Sequence, residues 1–406
     1  MRVDLVSEHA SPLAALGGVD SGGQNVHVAE LARGMARAGH EVVVHTRRDA
    51  PELPTRIEAV PGVTVEHVVA GPPRPIPKDE LLPHMAEFGS RLAELWTAEP
   101  PDVVHAHFWM SGLAARRGLS GLSVPLLQTF HALGRVKRRH QGSKDPSPAE
   151  REVLESELAR AVDLVVATCS DEVDELGEMG VSPDRTAVVP CGIDLEKFVP
   201  RGVPRPRGDR NRVLSIGRIV ERKGIDTVIE ALAGVPDTEL LIAGGPDHAQ
   251  WSTDPEVERL SRCADEAGVA DRVRFLGPIA HDEAPALYRS ADVVVSVPWY
   301  EPFGTVPLEA MACGVPVIVT SVGGHRDTVL DGGTGVLVPP RDSSELARGI
   351  RELLRDPRRC AAMGAAGVRR VRARYGWDRL VRETEAVYHR VREQHGALAT
   401  STGGEP

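Results

Sequence analysis

Aromatic residues are scarce in this chain: six Phe, five Trp and four Tyr make up 4% of 406 residues. A surface that binds single-stranded nucleic acid by stacking bases needs more of them. Lysine and arginine (48) are outnumbered by aspartate and glutamate (58), giving a formal net charge of −10. Taken whole, the chain is a poor binder of nucleic acid or anionic membrane. Cysteine is sparse too. Cys169, Cys191, Cys263, Cys313 and Cys360 form no CxxC pair, so neither a zinc ribbon nor a dithiol site finds support. An odd count in a long chain reads as reduced thiols in the cytoplasm. No apolar run reaches the roughly 18 residues that span a bilayer. The opening MRVDLVSEHASP carries charges among its first apolar residues, unlike a signal peptide.

Several motifs are also missing. No GxGxxG follows a strand-like run, and GxxxxGK(S/T), GxSxG and HExxH do not occur. That argues against a standard dinucleotide enzyme, a P-loop NTPase, a serine hydrolase and a zincin. No Asp-x-Asp pair occurs either. Metal-dependent nucleotide-sugar enzymes usually carry one, so phosphate here is expected to be held by cations and backbone amides, with no metal and no bound cofactor.

What is present is a globular composition, 41% hydrophobic and 26% charged, in a chain too long for one core. Short β-like runs alternate with helical patterns. Val3–Val6, a glycine-rich loop Gly17–Gly23 and a helix Gln24–Ala38 come first, followed by strands at Glu41–His45, Val63–Val69, Val103–His105, Leu126–Phe130 and Leu164–Ala167. A helix is expected over about Asp79–Thr97. The stretch Pro200–Arg212, rich in proline and arginine, reads as a linker. The alternation then resumes, with strands at Arg212–Ile216, Glu239–Ala243, Val273–Leu276, Val293–Val297, Val315–Thr320 and Gly335–Val338. The class is therefore α/β, with two parallel-sheet domains, 1–199 and 212–376, and helices on both faces.

Ligands of open parallel sheets sit beyond the carboxyl ends of the strands, so chemistry is sought in the loops there. In GRIVERKG (Gly217–Gly224), Arg218 and Lys223 follow a strand and could neutralise a diphosphate, or form only a solvated turn. In EPFGTVPLE, Glu301 precedes a helix and Glu309 lies in its first turns. Carboxylates accept hydrogen bonds from vicinal hydroxyls, as on a ribose and a hexose; as an isolated pair these two read more readily as a loop charge and a helix support. Gly22-Gly23-Gln24-Asn25 opens the first helix, where amides face an anion. His105 and His107 end one strand and His131 another. Without a third ligand, the His-x-His pair reads as strand-end histidines rather than a metal site. Arg135–Lys144 is one dense basic run, either a solvated loop or a contact for a phosphorylated acceptor or anionic lipid.

Taken together and in order, these segments resemble family 4 glycosyltransferases. The resemblance runs through GGVDSGGQNVHVAELARGMARAGHEV, DVVHAHFWMSG, VVPCGID, GRIVERKG and EPFGTVPLEAMACGVPVI. Within the family the chain is similar to the mycothiol-pathway N-acetylglucosaminyltransferase, sucrose-phosphate synthase and the aminoglycoside glycosyltransferases. The resemblance implies the GT-B fold: two Rossmann-like domains facing a cleft, with the last helix (about 377–396) crossing back to the first domain. It implies a retaining, metal-independent transfer of a hexose or N-acetylhexosamine from an NDP-sugar, expected to be UDP-linked, to a small polar acceptor.

The resemblance also implies residue roles. Arg218 and Lys223 would grip the diphosphate, with the Gly23 amide and those of Phe303, Gly304 and Thr305. Glu309 would hold the ribose, Glu301 the donor sugar and His131 its 6-hydroxyl, while the backbone near Ile279 would meet the nucleobase. His131, Arg218, Lys223 and Glu301 would thus carry the catalytic roles. Asn25, Lys78, Phe108 and Trp109 would meet the acceptor. By the same resemblance, Ala132 and Gln24 stand where the inositol-phosphate enzyme has threonine and methionine, and the aromatic of its acceptor wall falls near Phe108-Trp109 rather than on a tyrosine. A transferase like sucrose-phosphate or sucrose synthase, a GT-B UDP-sugar epimerase and a membrane-surface transferase acting on a lipid are the alternative expectations.

Overall fold

The computed structural model describes residues 1–13 and 22–402, with side chains up to residue 397. The glycine-rich loop Gly17–Ser21 lies outside the described residues. The chain divides into two compact units: Met1–Cys191 with the segment from Trp377 onward, and Gly192–Gly376.

The first unit is built on an eight-stranded sheet. Its strands are β1 (Arg2–Val6), β2 (Glu41–Arg47), β3 (Arg56–Val60), β4 (Val63–Val68), β5 (Val103–His107), β6 (Leu126–Thr129), β7 (Leu164–Ala167) and β8 (Thr186–Val188). Their spatial order is β3-β4-β2-β1-β5-β6-β7-β8. Every pairing is parallel except β3 with β4. Both faces are covered, which the near-continuous apolar strands require. Alternate residues serve opposite faces. Val103, Val166 and Leu164 pack with Val28, Leu31 and Met35 of the helix Gly23–Arg37. Val104, Val165 and Ala167 pack with Phe88, Leu92 and Trp96 of the helix Met85–Ala98. Two 3-10 turns, Lys78–Glu80 and Leu82–His84, replace the first turns of the helix expected from about residue 79; Pro83 lacks the N–H that an α-helical ladder would use there.

The last helix, Trp377–Thr402, belongs to the first unit. Leu380, Val381, Tyr388 and Val391 are buried against the sheet. Gly34 admits it: a Cβ there would lie 2.2 Å from a Val381 methyl. Polar contacts fix the register, His40 with Glu385 at 2.9 Å and Arg392 with Asp102 at 2.8 Å.

The second unit carries a six-stranded parallel sheet: β9 (Asn211–Ile216), β10 (Thr238–Ala243), β11 (Val273–Gly277), β12 (Val293–Ser296), β13 (Val317–Thr320) and β14 (Gly335–Val338). Its order is β11-β10-β9-β12-β13-β14. The division between units falls at Cys191–Gly192, ahead of the Pro200–Arg212 stretch expected to hold it. That stretch is tied down rather than free. Arg205 N donates to Ala286 O at 2.9 Å, and Arg207 pairs with Asp292 at 2.7 Å.

Candidate functional site

In the second sheet the chain leaves β9 towards β10 on one side and returns to β12 on the other. The order reverses between β9 and β12, and ligands of doubly wound sheets bind beyond the carboxyl ends of such a pair. The loops there are Gly217–Gly224 and Val297–Gly304, the two segments that carry Arg218, Lys223 and Glu301. Gly224 lets them meet. Its φ is 67°, and a Cβ would sit 2.3 Å from Val297 O. Any other residue would push the loops apart.

Across this junction the Lys223 ammonium donates to Glu301 Oε2. Burial opposes ionisation of Glu301, but Lys223 and Arg222 outweigh it and bring the carboxyl down to about 2. Burial lowers the Lys223 ammonium, Arg222 and Arg218 add repulsion, and Glu301 counteracts them. Arg218 is exposed beside this pair in sequence. Arg222 stacks over Tyr300, 5.1 Å from the ring centroid.

The helix Thr305–Ala312 begins next. Gly304 at its start has φ 82° and no side chain caps the first turn, which leaves amides open to an anion. A Cβ on Gly304 would come within 2.6 Å of the His325 ring, so this turn packs directly on that imidazole. His325 is fully buried, and its Nδ1 donates to Thr320 O at 3.2 Å. Phe303 is buried, while Thr305 and, beyond β11, Ile279 are half-buried. One turn into the helix, Glu309 Oε2 accepts from the Tyr288 hydroxyl at 2.6 Å. Burial pushes the Glu309 carboxyl up to about 7, with Tyr288 and Lys197 pulling the other way. The arrangement therefore offers cations, free amides and two carboxylates within one unit. That set suits a polyhydroxylated ligand carrying phosphate.

In the first unit the order reverses between β1 and β5. Ser7, Glu8 and His9 follow β1; Phe108 follows β5; His131 lies just past β6. Phe108 and His131 have φ of 81° and 61°, so both turns are left-handed at non-glycine residues; such strain is commonest at functional sites. His107 Nδ1 and His131 Nε2 are 3.0 Å apart. Burial holds both imidazoles well below the usual histidine range, with neighbouring histidines adding to it. His105 is satisfied by Tyr388 and Thr129, both at 2.9 Å. Among the described residues no group of three His, Cys, Asp or Glu could hold a metal ion.

The acceptor candidates separate. Asn25 is buried: its Oδ1 accepts from Gly22 N at 3.0 Å and its Nδ2 donates to Ser11 O at 3.1 Å, so it braces the loop entering the helix that Gly23 begins. Lys78 is half-buried on its 3-10 turn. Trp109 is fully enclosed in the core, and Phe108 is nearly so. Arg151 was not anticipated. Its guanidinium lies 5.1 Å from the Phe108 ring centroid and 5.8 Å from that of Trp109, and it is held by Glu155 at 2.7 Å and Ala132 O at 2.6 Å. The buried Glu8 was missed as well; it accepts from Ser111 and contacts His9 at 2.8 Å. In sequence Arg151 looks like any helix-start arginine, and only the fold sets it against Phe108. The basic run forms a helix, Gly134–Gln141, and a 3-10 turn, Gly142–Lys144. Its charges are largely matched within the chain: Arg135 and Arg139 by Glu175, Arg138 by Glu152 and Lys137 by Asp145. A pocket of about 530 Å³ opens at the other ends of β9, β12 and β13, lined by Pro200, Asn211, Arg289 and Cys313. None of the candidate residues lines it.

Residues 21–197 match the model of Glycosyltransferase Family 4, and residues 200–370 match Glycosyl transferases group 1. The chain is 37% identical to a D-inositol 3-phosphate glycosyltransferase from Acidothermus cellulolyticus, over 98% of this chain and 92% of that one. It is equally identical to one from Kineococcus radiotolerans, over 98% and 97%. Among solved structures it is similar to a sucrose-phosphate synthase from Thermosynechococcus elongatus, with TM-score 0.86, 32% identity and coverage of 96% and 98%. No helix among the described residues is long and apolar enough to cross a membrane.

Proposed function

Since the chain belongs to glycosyltransferase family 4 and is a GT-B glycosyltransferase, we propose that it moves a hexose or N-acetylhexosamine from a UDP-linked donor to a hydroxyl of an inositol phosphate or sugar phosphate, with retention. The observation that carries the donor half is the half-buried Lys223–Glu301 pair at the β9/β12 reversal, one short loop from an uncapped helix start. The names of the relatives support the acceptor class: they act on inositol 3-phosphate or make sucrose phosphate.

In this reading Lys223 and Arg218 bind the diphosphate oxygens, and the amides of Gly304 and Thr305 complete their cradle. Preorganised donors of this kind supply the largest electrostatic contribution as charge builds on the leaving group. Glu309 accepts from the ribose hydroxyls and Glu301 from the donor sugar. In the first unit, His131 is read as a contact for a sugar hydroxyl. The acceptor oxygen bonds to the anomeric carbon as the bond from that carbon to the diphosphate oxygen breaks. The acceptor proton passes to a departing phosphate oxygen, so no protein base is required. Charge neutralisation comes from side chains and amides, and no metal is assigned.

The test is a donor-by-acceptor screen with mass detection. UDP-glucose and UDP-N-acetylglucosamine are each offered with inositol phosphates, hexose phosphates and aminocyclitols. A product heavier than the acceptor by one hexosyl or N-acetylhexosaminyl group supports the reading. Conversion of the UDP-sugar without any acceptor would instead support an epimerase.

A further inference from the structure

Four histidines of the first unit lie against one another: His27, His105, His107 and His131. The transfer described above uses only His131. The hydrogen bonds around the others fix where their protons sit, and one of those positions bears on His131.

His105 can be assigned by elimination. The Thr129 hydroxyl donates its single proton to Val166 O at 3.0 Å, because a carbonyl oxygen only accepts. Thr129 Oγ1 must then accept from His105 Nε2–H at 2.9 Å. His105 Nδ1 is left as a lone pair, and the Tyr388 hydroxyl donates to it at 2.9 Å. His105 is therefore complete and offers no proton to its neighbour His107, whose ring centroid is 4.3 Å away.

His107 and His131 share one hydrogen bond, Nδ1 to Nε2 at 3.0 Å, with the rings stacked at 27°. Exactly one of these two nitrogens carries the proton between neutral rings. If it sits on His131 Nε2, the His107 proton must be on Nε2, which is buried and has no partner among the described residues. A buried N–H without an acceptor is among the rarest features of native proteins. If the proton sits on His107 Nδ1, the buried Nε2 is only a bare lone pair. His131 then carries its proton on Nδ1, which has no protein partner among the described residues, on a half-buried ring at a strand end.

We propose that His107 is a positioning residue: its Nδ1–H donates to His131 Nε2 and so holds His131 as the Nδ1–H tautomer, which donates to a hydroxyl of the sugar substrate. This rests on the reading of His131 as a sugar contact. His131 has a left-handed backbone, and His107 is fully buried with no partner for its Nε2 among the described residues. A free imidazole favours the opposite, Nε2–H form, so the tautomer is one the protein must impose. His131 acts as a fixed hydrogen-bond donor rather than as a proton acceptor.

The test reads the tautomer and the activity separately. In the full-length enzyme labelled with ¹⁵N-histidine, long-range ¹H–¹⁵N spectra should show His131 protonated on Nδ1 and bare on Nε2. The signals are assigned by loss in His131→Asn. His107→Phe should shift His131 towards Nε2–H. It should lower kcat at least about tenfold, the scale of one hydrogen bond, with donor KM nearly unchanged. His107→Asn keeps an N–H at the Nδ1 position and should restore most of the loss. An Nε2-protonated His131 in the wild type overturns the inference, whatever the activity. Wild-type kcat in His107→Phe, or no rescue by His107→Asn, overturns the positioning role. Full turnover by His131→Ala overturns the sugar-contact reading on which it rests.

Discussion

Removing the hydroxyl of Tyr288 should move the pH dependence of donor binding to higher pH. Tyr288 is fully buried and donates to Glu309 Oε2 at 2.6 Å. Burial already pushes the Glu309 carboxyl up to about 7, and this hydrogen bond is what holds it from going further. A hydrogen bond to a charged group contributes about 1.5–3 kcal/mol. Losing it in Tyr288→Phe should raise the Glu309 pKa by roughly one to two units, at about 1.4 kcal/mol per unit. Near pH 7.5 the wild-type carboxylate is roughly three-quarters ionised, and the variant falls to about a quarter or a few per cent. If the ribose hydroxyls donate to the carboxylate, UDP affinity at that pH should drop about three- to twentyfold and recover towards pH 9. The wild type should itself weaken as pH falls from about 8 to 6, through the pKa of Glu309. Calorimetric titration of UDP into both proteins across that range measures this directly. A flat wild-type profile, or equal affinities for the two proteins at every pH, would refute the assignment of Glu309 to the ribose.

Lys223→Ala should lower transfer at least about a hundredfold, the usual scale for losing one preorganised charge contact, while circular dichroism shows a native fold; near-normal turnover would remove Lys223 from the diphosphate site. Asp4 is fully buried and accepts from His45 at 2.7 Å, Trp96 at 2.8 Å and Arg2 at 3.2 Å. Asp4→Ala should cost about 3–5 kcal/mol of stability by stranding those donors, read as a lower unfolding temperature of the first unit. Burial opposes ionisation of Asp4, but His45, Arg2 and Trp96 outweigh it and hold the carboxyl below its usual 3.8. Its contribution should be fully present above that pH and lost as pH falls through the lowered value. Because the arginines of Gly134–Gln141 are largely paired within the chain, the protein should not float with anionic liposomes at about 0.15 M salt; salt-sensitive flotation would revive a lipid-surface role.

Much of the fold was legible because both sheets are parallel, apart from the edge strand β3, and covered on both faces. That demands apolar runs such as EVVVH and VVVS between helical segments, and such runs stand out in one dimension. The helical basic segment Gly134–Gln141 was less legible, since its charge density hid a helix stabilised by carboxylates far along the chain. The free-linker reading of residues 200–212 failed for a similar reason. Proline and arginine between residues 200 and 212 suggest a free linker, but Arg205 and Arg207 find partners at Ala286 and Asp292.

The sequence by itself determined the class of chemistry. Arg218, Lys223, Glu301 and Glu309 stand in two short segments, each following a strand, and local order alone puts them at strand ends. The net charge of −10 said nothing against this, because a diphosphate needs only a few cations and amides at one place. Tertiary structure alone decided how those groups are tuned and which others join them. The pairing of Lys223 with Glu301, the buried tyrosine that steadies Glu309, Arg151 against Phe108, and His107 behind His131 all join residues from different elements. Burial and hydrogen bonding, which set protonation and orientation, are properties of the packed neighbourhood, and no spacing along the chain encodes them.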